Sequence, residues 1–197
     1  GKVVEKVHSI NDNIELLGIG QFVCATNILP SKIVSGLKVD GINVNLEVND
    51  VDFNEYTSIF DENSRSTPLN VKEISIKADV LLKARTIFEN SSQIFRETAG
   101  VHGAGLYDEN GDEIIFIKDI ARHNNIIKLI GYMTKERFDK KAFILTSSRI
   151  NKDIVRLAKI SGIKLIATRG APSYLAIKEA KKNEISLVGF LKENRFT

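Results

Sequence analysis

Between Ala142 and Leu191 short apolar runs alternate with helix-length segments, and that alternation restricts the fold more than any other feature of the chain. Ala142 to Thr146 (AFILT), Lys164 to Thr168 (KLIAT) and Ser186 to Leu191 (SLVGFL) read as strands. Lys152 to Ile160 and Pro172 to Lys182 read as the helices between them. Strands linked in this way pair in parallel, with right-handed crossovers. The expectation is an α/β fold.

Upstream, from Phe95 to Gly131, lies the stretch around which a site would be organised. It holds two of the three histidines, with Gly100, Gly103 and Gly105 around His102. Arg122-His123-Asn124-Asn125 opens what reads as a helix ending at Gly131. Between the two clusters YDENGDEIIFI reads as a hairpin, because Asn110-Gly111 is a strong two-residue turn signal between apolar runs. The hairpin would carry His102 and His123 to the same end of a sheet. Small residues beside His102 would let backbone approach a ligand.

The first 74 residues read as a smaller α+β domain, and residues 75–197 as the α/β domain. Helix signals run through NDNIELLGIGQFVCATNIL, with Asn11 or Asn13 as cap, Glu15 in the first turn and Pro30-Ser31 as the stop. Cys24 falls within that apolar pattern and reads as a small buried hydrophobe. Two strands come next, Ile33 to Val39 and Ile42 to Val48, with Asp40-Gly41 as their turn. Residues 49 to 70 are polar and poorly periodic, VKEISIK alternates like a strand, and Ala78 to Glu97 reads as one helix.

Composition narrows the partners. With 43% hydrophobic and 27% charged residues the chain has an ordinary globular balance. No apolar run reaches the roughly 20 residues that span a bilayer, and the N-terminus has no signal-peptide pattern. A single cysteine forms no intrachain disulfide, which suits the cytoplasm. A net charge of +3 is too small to argue for duplex nucleic acid, and sparse aromatics without tryptophan argue against a single-strand stacking platform. Lys and Arg cluster near the predicted loops after residue 120, which favours a small anion over a long polyanion.

Ligands of open α/β sheets bind beyond the carboxyl ends of parallel strands. Here those ends are Ser147-Ser148-Arg149 and Arg169-Gly170-Ala171-Pro172-Ser173, each ahead of a helix N-terminus. Backbone N–H groups, the helix dipole, serine hydroxyls and arginine forks together suit phosphate oxygens. The alternative for each loop taken alone is that the serines are helix caps and the arginines are solvated. Pro172 fits a first helical turn. No P-loop and no zinc spacing occur, and GVHGAG follows a predicted helix, so it is not the dinucleotide fingerprint. His102 and His123 lack an evident nucleophile or carboxylate partner in the sequence, so neither is assigned a catalytic role.

The series FRETAGVHGAGL, DIARHNNIIKLIG, LTSSRINKDIVRLA, ATRGAPSYLAIKEA and ISLVGFL resembles the FdhD family, the formate dehydrogenase accessory sulfurtransferases, over about residues 78 to 191. LLGIGQFVCATNIL looks like the family's helix ending in GFL-x-x-EG. The resemblance implies a cytidine-deaminase-like mixed sheet with helices on both faces, preceded by the smaller domain. It further implies a cytoplasmic homodimer that receives sulfur from a cysteine desulfurase. The sulfur passes to a bis-guanine-dinucleotide molybdenum cofactor, which is delivered to formate dehydrogenase. By motif match, Gly100, His102, Arg122, His123, Asn124, Lys128, Arg149, Ala171, Pro172 and Ser173 would line the cofactor site. Gly103, Ser148 and Arg169 join them from the glycine cluster and the strand-end loops.

The chain departs from the family pattern in several places. The CxxC sulfur loop should fall near residues 56 to 70, and YTSIFDENSRSTPLN has no cysteine. Ala121 replaces the glycine of GRHN, Ile127 the aspartate of DK, Ser148 the glycine of SGR, and Ser173 the threonine of APT. A persulfide needs a thiol, so relay through that loop is chemically excluded, whereas cofactor binding or a chaperone role can persist.

Overall fold

The computed structural model describes residues 6–26, 36–41, 43–47, 69, 71–91, 100–193 and 195–197. In chain order the elements are α1 (Ile14–Thr26), β1 (Gly36–Asp40), β2 (Asn43–Glu47), α2 (Ala78–Ser91), β3 (His102–Asp108) and β4 (Glu113–Asp119). Then come α3 (Arg122–Lys135), β5 (Ala142–Thr146), α4 (Lys152–Ile160), β6 (Leu165–Thr168), α5 (Tyr174–Lys182) and β7 (Ser186–Val188).

The fold is mixed α/β. One five-stranded sheet has the order β4-β3-β5-β6-β7, and β1 and β2 form a separate antiparallel pair. β5, β6 and β7 are parallel, as the alternation through α4 and α5 predicts. β3 runs antiparallel to both neighbours, β4 and β5. Its link to β4 is the expected hairpin, but the loop is residues 109–111 rather than Asn110-Gly111 alone. Asp108 N–H donates to Asp112 O and Gly111 N–H to Asp108 O, both at 3.0 Å, and Gly111 takes the left-handed region at φ 80.

Alternation along β5 assigns the two faces. Phe143 and Leu145 point into a core with Leu81, Ala84 and Phe88 of α2. Ala142 and Ile144 point into a larger core built with α1, α3, α4 and α5. Helices therefore cover both faces, because a strand buried on both sides is apolar at every position. Each leucine or isoleucine fully buried there contributes about 1.5–3 kcal/mol relative to exposure.

α1 belongs to the same core as the sheet. Leu16, Leu17, Ile19, Val23 and Cys24 are buried against α3, with Cys24 fully excluded from solvent. On its other side Gly18 meets Val44 of β2, where an added Cβ would stand 2.5 Å from the valine Cγ1. α1 thus shares one continuous apolar core with the five-stranded sheet and its helices.

Several element limits differ from the sequence reading. VKEISIK forms no strand: only Lys72 makes an isolated bridge, to Lys141. Its alternation is still used, since Ile74 and Ile76 pack on the α2 core while Lys72, Glu73 and Ser75 are exposed. Asp40 pairs with Asn43, so the turn of the small hairpin centres one residue later than expected, with Gly41 at φ 57. α3 does not stop at Gly131 but runs to Lys135, and the glycine inside it is a packing notch. α5 begins at Tyr174, because Ser173 is the N-cap, and Pro172 precedes it in a bridge with Ile150. β7 ends at Val188, after which Gly189 pairs with Thr197 and Phe190 adopts φ 52. The stop at Pro30-Ser31 and the stretches 49–68 and 92–97 lie outside the described residues.

Candidate functional site

Sheet topology brings the sequence-predicted loops to one end. Because β3 runs against β5, the start of β3 lies at the carboxyl ends of β4, β5 and β6. The register places His102 opposite Asp119, the last residue of β4. The ladder continues past β5: Ser147 N–H donates to Gly103 O at 2.9 Å, and Gly103 N–H donates to Ser147 Oγ at 3.0 Å. The loop after β6 is joined in turn, with Thr168 Oγ1 donating to Ser148 O at 2.6 Å and Ser173 N–H donating to Ile150 O at 2.8 Å. Four turns thus share one sheet end: His102, Arg122-His123, Ser147–Arg149 and Arg169–Ser173.

At the start of α3 the chemistry is cationic and donor-rich. Its N-cap, Ala121, makes no side-chain capping hydrogen bond, and no acidic residue occupies the first turn. Arg122 stands there with its Nε buried and without a hydrogen-bond partner among the described residues. An uncapped helix N-terminus beside a guanidinium favours an anion. Burial, and then the Arg122 guanidinium, hold both His102 and His123 below the ordinary imidazole value. For His123 the carboxylate of Asp153 on α4 pulls the other way.

His123 is oriented by α4. Asn151 caps that helix by accepting from Ile154 N–H at 3.0 Å through Oδ1, which leaves its amide nitrogen to face His123 Nε2 at 3.3 Å. The same amide nitrogen donates to Asp153 Oδ2 at 3.2 Å, so Asn151 sits between the imidazole and the neighbouring carboxylate. Asp153 Oδ2 lies 3.8 Å from the same Nε2. Asn151 and Asp153 escaped the sequence reading, although an asparagine just before an apolar helical stripe is a readable cap.

The other predicted residues divide. Arg149 is exposed, and Gly170 packs against it, where a Cβ would lie 3.3 Å from its Cγ. Arg169 leans toward α2, its Nε 3.7 Å from Glu89 Oε1, a carboxylate that Arg85 also binds at 2.6 Å. Ser173 caps α5 by accepting from Ala176 N–H, while Asn151, not Ser147 or Ser148, caps α4. Ser148 is buried against Thr146 Oγ1. Asn124 and Lys128 are buried, and their polar atoms bind within the chain, to Asp119 and to carbonyls of residues 8–12. Gly100 is exposed just before β3, and Ala171 and Pro172 are half-buried.

Gly103 and Gly105 have packing reasons of their own: added Cβ atoms would stand 2.6 Å from the Phe116 ring and 2.5 Å from the Tyr107 ring. Among the described residues no cluster of three or more His, Cys, Asp or Glu side chains is placed to hold a metal ion. No helix among them is long and apolar enough to cross a membrane.

Comparison with known proteins adds to this geometry. The profile of the FdhD/NarQ family matches residues 51–197. Protein FdhD of Methanocaldococcus jannaschii is 29% identical over 98% of this chain and 88% of its own length. The sulfur carrier protein FdhD of Thermoplasma volcanium is 34% identical over 64% of this chain and 46% of its own length. That of Wolinella succinogenes is 40% identical over 53% of this chain and 37% of its own. In these last two the match spans less than half of the relative. Among solved structures, a candidate formate dehydrogenase accessory protein from Desulfotalea psychrophila superposes with a TM-score of 0.81 at 22% identity, over all of this chain and 81% of that one, a likeness of fold.

Proposed function

The chain belongs to the FdhD/NarQ family, and from that premise we propose that it binds the guanine-dinucleotide molybdenum cofactor as cargo and supports formate dehydrogenase. The relatives are named as sulfur carriers, and the structural neighbour as a formate dehydrogenase accessory protein. The observation that carries the binding reading is the start of α3, where a helix end with no side-chain cap and an Arg122 Nε without a hydrogen-bond partner among the described residues form a donor set with a diphosphate's chemistry. Arg149, Arg169 and Ser173 border the same sheet end. His102 and His123, neutral at pH 7, add ring N–H groups without repelling the arginines.

The molybdenum centre supplies redox chemistry to the client enzyme; the residues of this chain bind and orient the phosphates. A cytoplasmic homodimer that meets a cysteine desulfurase completes the proposal. Sulfur does not pass through the segment 56–70, which holds no cysteine.

The missing thiols favour a second reading, a guanine-nucleotide-binding or regulatory module that has lost sulfur transfer. Calorimetric titration with GDP tests the binding common to both: Arg122→Ala is expected to weaken it about tenfold or more, as loss of a charge-assisted contact does. Complementation of a strain lacking formate dehydrogenase maturation separates the readings. Restored formate oxidation supports the accessory role, and bound GDP without restoration supports the module.

A further inference from the structure

The turn that presents Arg122 and His123 is held from beneath by a buried charge network, whose bearing on the site rests on the proposed binding of an anion there. α3 lacks a side-chain cap of its own. Asp119, at the end of β4, does not cap the helix but braces the turn leading into it, from two residues upstream of Ala121. Its Oδ1 accepts from Ala121 N–H and from Asn124 Nδ2, both at 3.1 Å. Its Oδ2 meets Lys128 Nζ at 2.8 Å and accepts from the Ser9 hydroxyl. Lys128 Nζ also donates to the carbonyls of Asp12 at 2.6 Å and Ile10 at 3.4 Å, and Asn124 Nδ2 donates to His8 O at 2.7 Å. The side chains of Asp119 and Lys128 are both 0% exposed.

Stability alone does not call for this arrangement, because two well-packed apolar side chains would fill the volume without the cost of desolvating two charges. An apolar pair has no oxygen with which to fix the N–H of Ala121, and so nothing to set the angle at which the chain enters α3. We propose that Asp119 is the positioning residue of the anion site. Its carboxylate fixes the turn from β4 into α3 and thereby aims Arg122 and His123, while Lys128 neutralises it and ties it to residues 8–12. Asn124 and Lys128 then serve the site from below, through Asp119.

The test compares two double variants, so that neither strands a buried ammonium: Asp119→Asn with Lys128→Met, and Asp119→Ala with Lys128→Met. Asparagine keeps an oxygen for Ala121 N–H, and alanine does not. The readouts are the NMR titration of His123 without nucleotide and calorimetry with GDP. Among the described residues, Arg122 on its own helix and Asp153 on α4 are charged groups that act on His123, with the Asn151 amide beside them. The asparagine version is expected to keep the wild-type titration midpoint and GDP affinity. In the folded alanine version the midpoint rises toward the ordinary imidazole value as the ring leaves its buried place, and GDP binds about tenfold more weakly. If the two versions titrate and bind alike, the proposal is overturned.

If the alanine version does not fold, Asp119→Leu with Lys128→Met decides. It fills the volume but offers no oxygen to Ala121 N–H, so the midpoint must rise, and an unmoved midpoint overturns the proposal. The histidine titration needs no nucleotide. A wild-type chain that ignores GDP would therefore refute the binding reading while leaving this outcome separately readable.

Discussion

Gly131 of α3 lies so close to Leu16 of α1 that a Cβ on the glycine would stand 1.9 Å from the leucine carbonyl oxygen. The contact is reciprocal, since a Cβ on Gly20 would stand 1.9 Å from the carbonyl oxygen of Ile127. Backbone meets backbone at both points, so no flexible side chain can give way. Gly131→Ala must push α1 off α3, and overpacking of this kind costs about 1–3 kcal/mol or more. Urea denaturation should show that loss, in spite of alanine's better helix propensity. An unchanged midpoint would mean that the two helices are not packed this tightly.

The Asp119–Lys128 pair makes a stability prediction as well as a positional one. Removing one partner leaves the other charge buried, which costs about 3–5 kcal/mol. Lys128→Ala and Asp119→Ala should each lower the denaturation midpoint strongly. Asp119→Asn with Lys128→Met should recover most of the loss, because no charge is then stranded. A double variant as unstable as the single ones would contradict this account of the network.

Acid should weaken the fold through the two site histidines. His102 and His123 are held below their unfolded value of about 6.5 by burial and by Arg122. Below that value the unfolded chain binds more protons than the folded one. Their neutral-state contribution is therefore complete above about pH 6.5 and is lost as pH falls through the folded values. Between pH 7.5 and pH 5 the denaturation midpoint should fall, and the fall should be smaller in a His102→Asn, His123→Asn double variant. Equal slopes would place both rings in solvent.

Cys24 is fully buried in the core between α1 and α3. Incubation of the folded chain with a cysteine desulfurase and radiolabelled cysteine should leave no label that reducing agent releases from this chain, because a buried thiol does not reach an incoming persulfide. Labelled persulfide on Cys24, with sulfur passed onward, would reverse the exclusion of sulfur relay.

Much of the fold was legible in the sequence because its signals are local. The parallel β5–α4–β6–α5–β7 unit is implied by apolar runs of strand length, and Asn110-Gly111 marked the β3–β4 hairpin, though its loop is one residue longer than that pair. The misreadings have tertiary causes. Gly131 resembles a helix stop when read alone, and only the approach of α1 shows it to be a notch. VKEISIK has the period of a strand, yet a strand also needs a neighbour, and only Lys72 finds one.

The site divides in the same way. Loops at the carboxyl ends of β5 and β6 were predictable from topology, and so was the meeting of His102 with the start of α3. Asp119 was not, because a carboxylate closing the apolar run EIIFIKD looks like an ordinary strand end. Its importance lies in contacts with Lys128 and with Ser9, which is 110 positions away in sequence. Lys128 looks like a ligand for the opposite reason: motif spacing does not tell which way a lysine points.

Convergence of cationic and backbone donors from separate turns on one diphosphate is the claim on which the rest depends, and calorimetry with GDP tests it most directly. The wild-type chain should bind GDP with saturable heat. Arg122→Ala, Arg149→Ala and Arg169→Ala should each weaken binding, Arg122→Ala by about tenfold or more. No heat with the wild-type chain, or an affinity untouched by all three substitutions, would contradict the account.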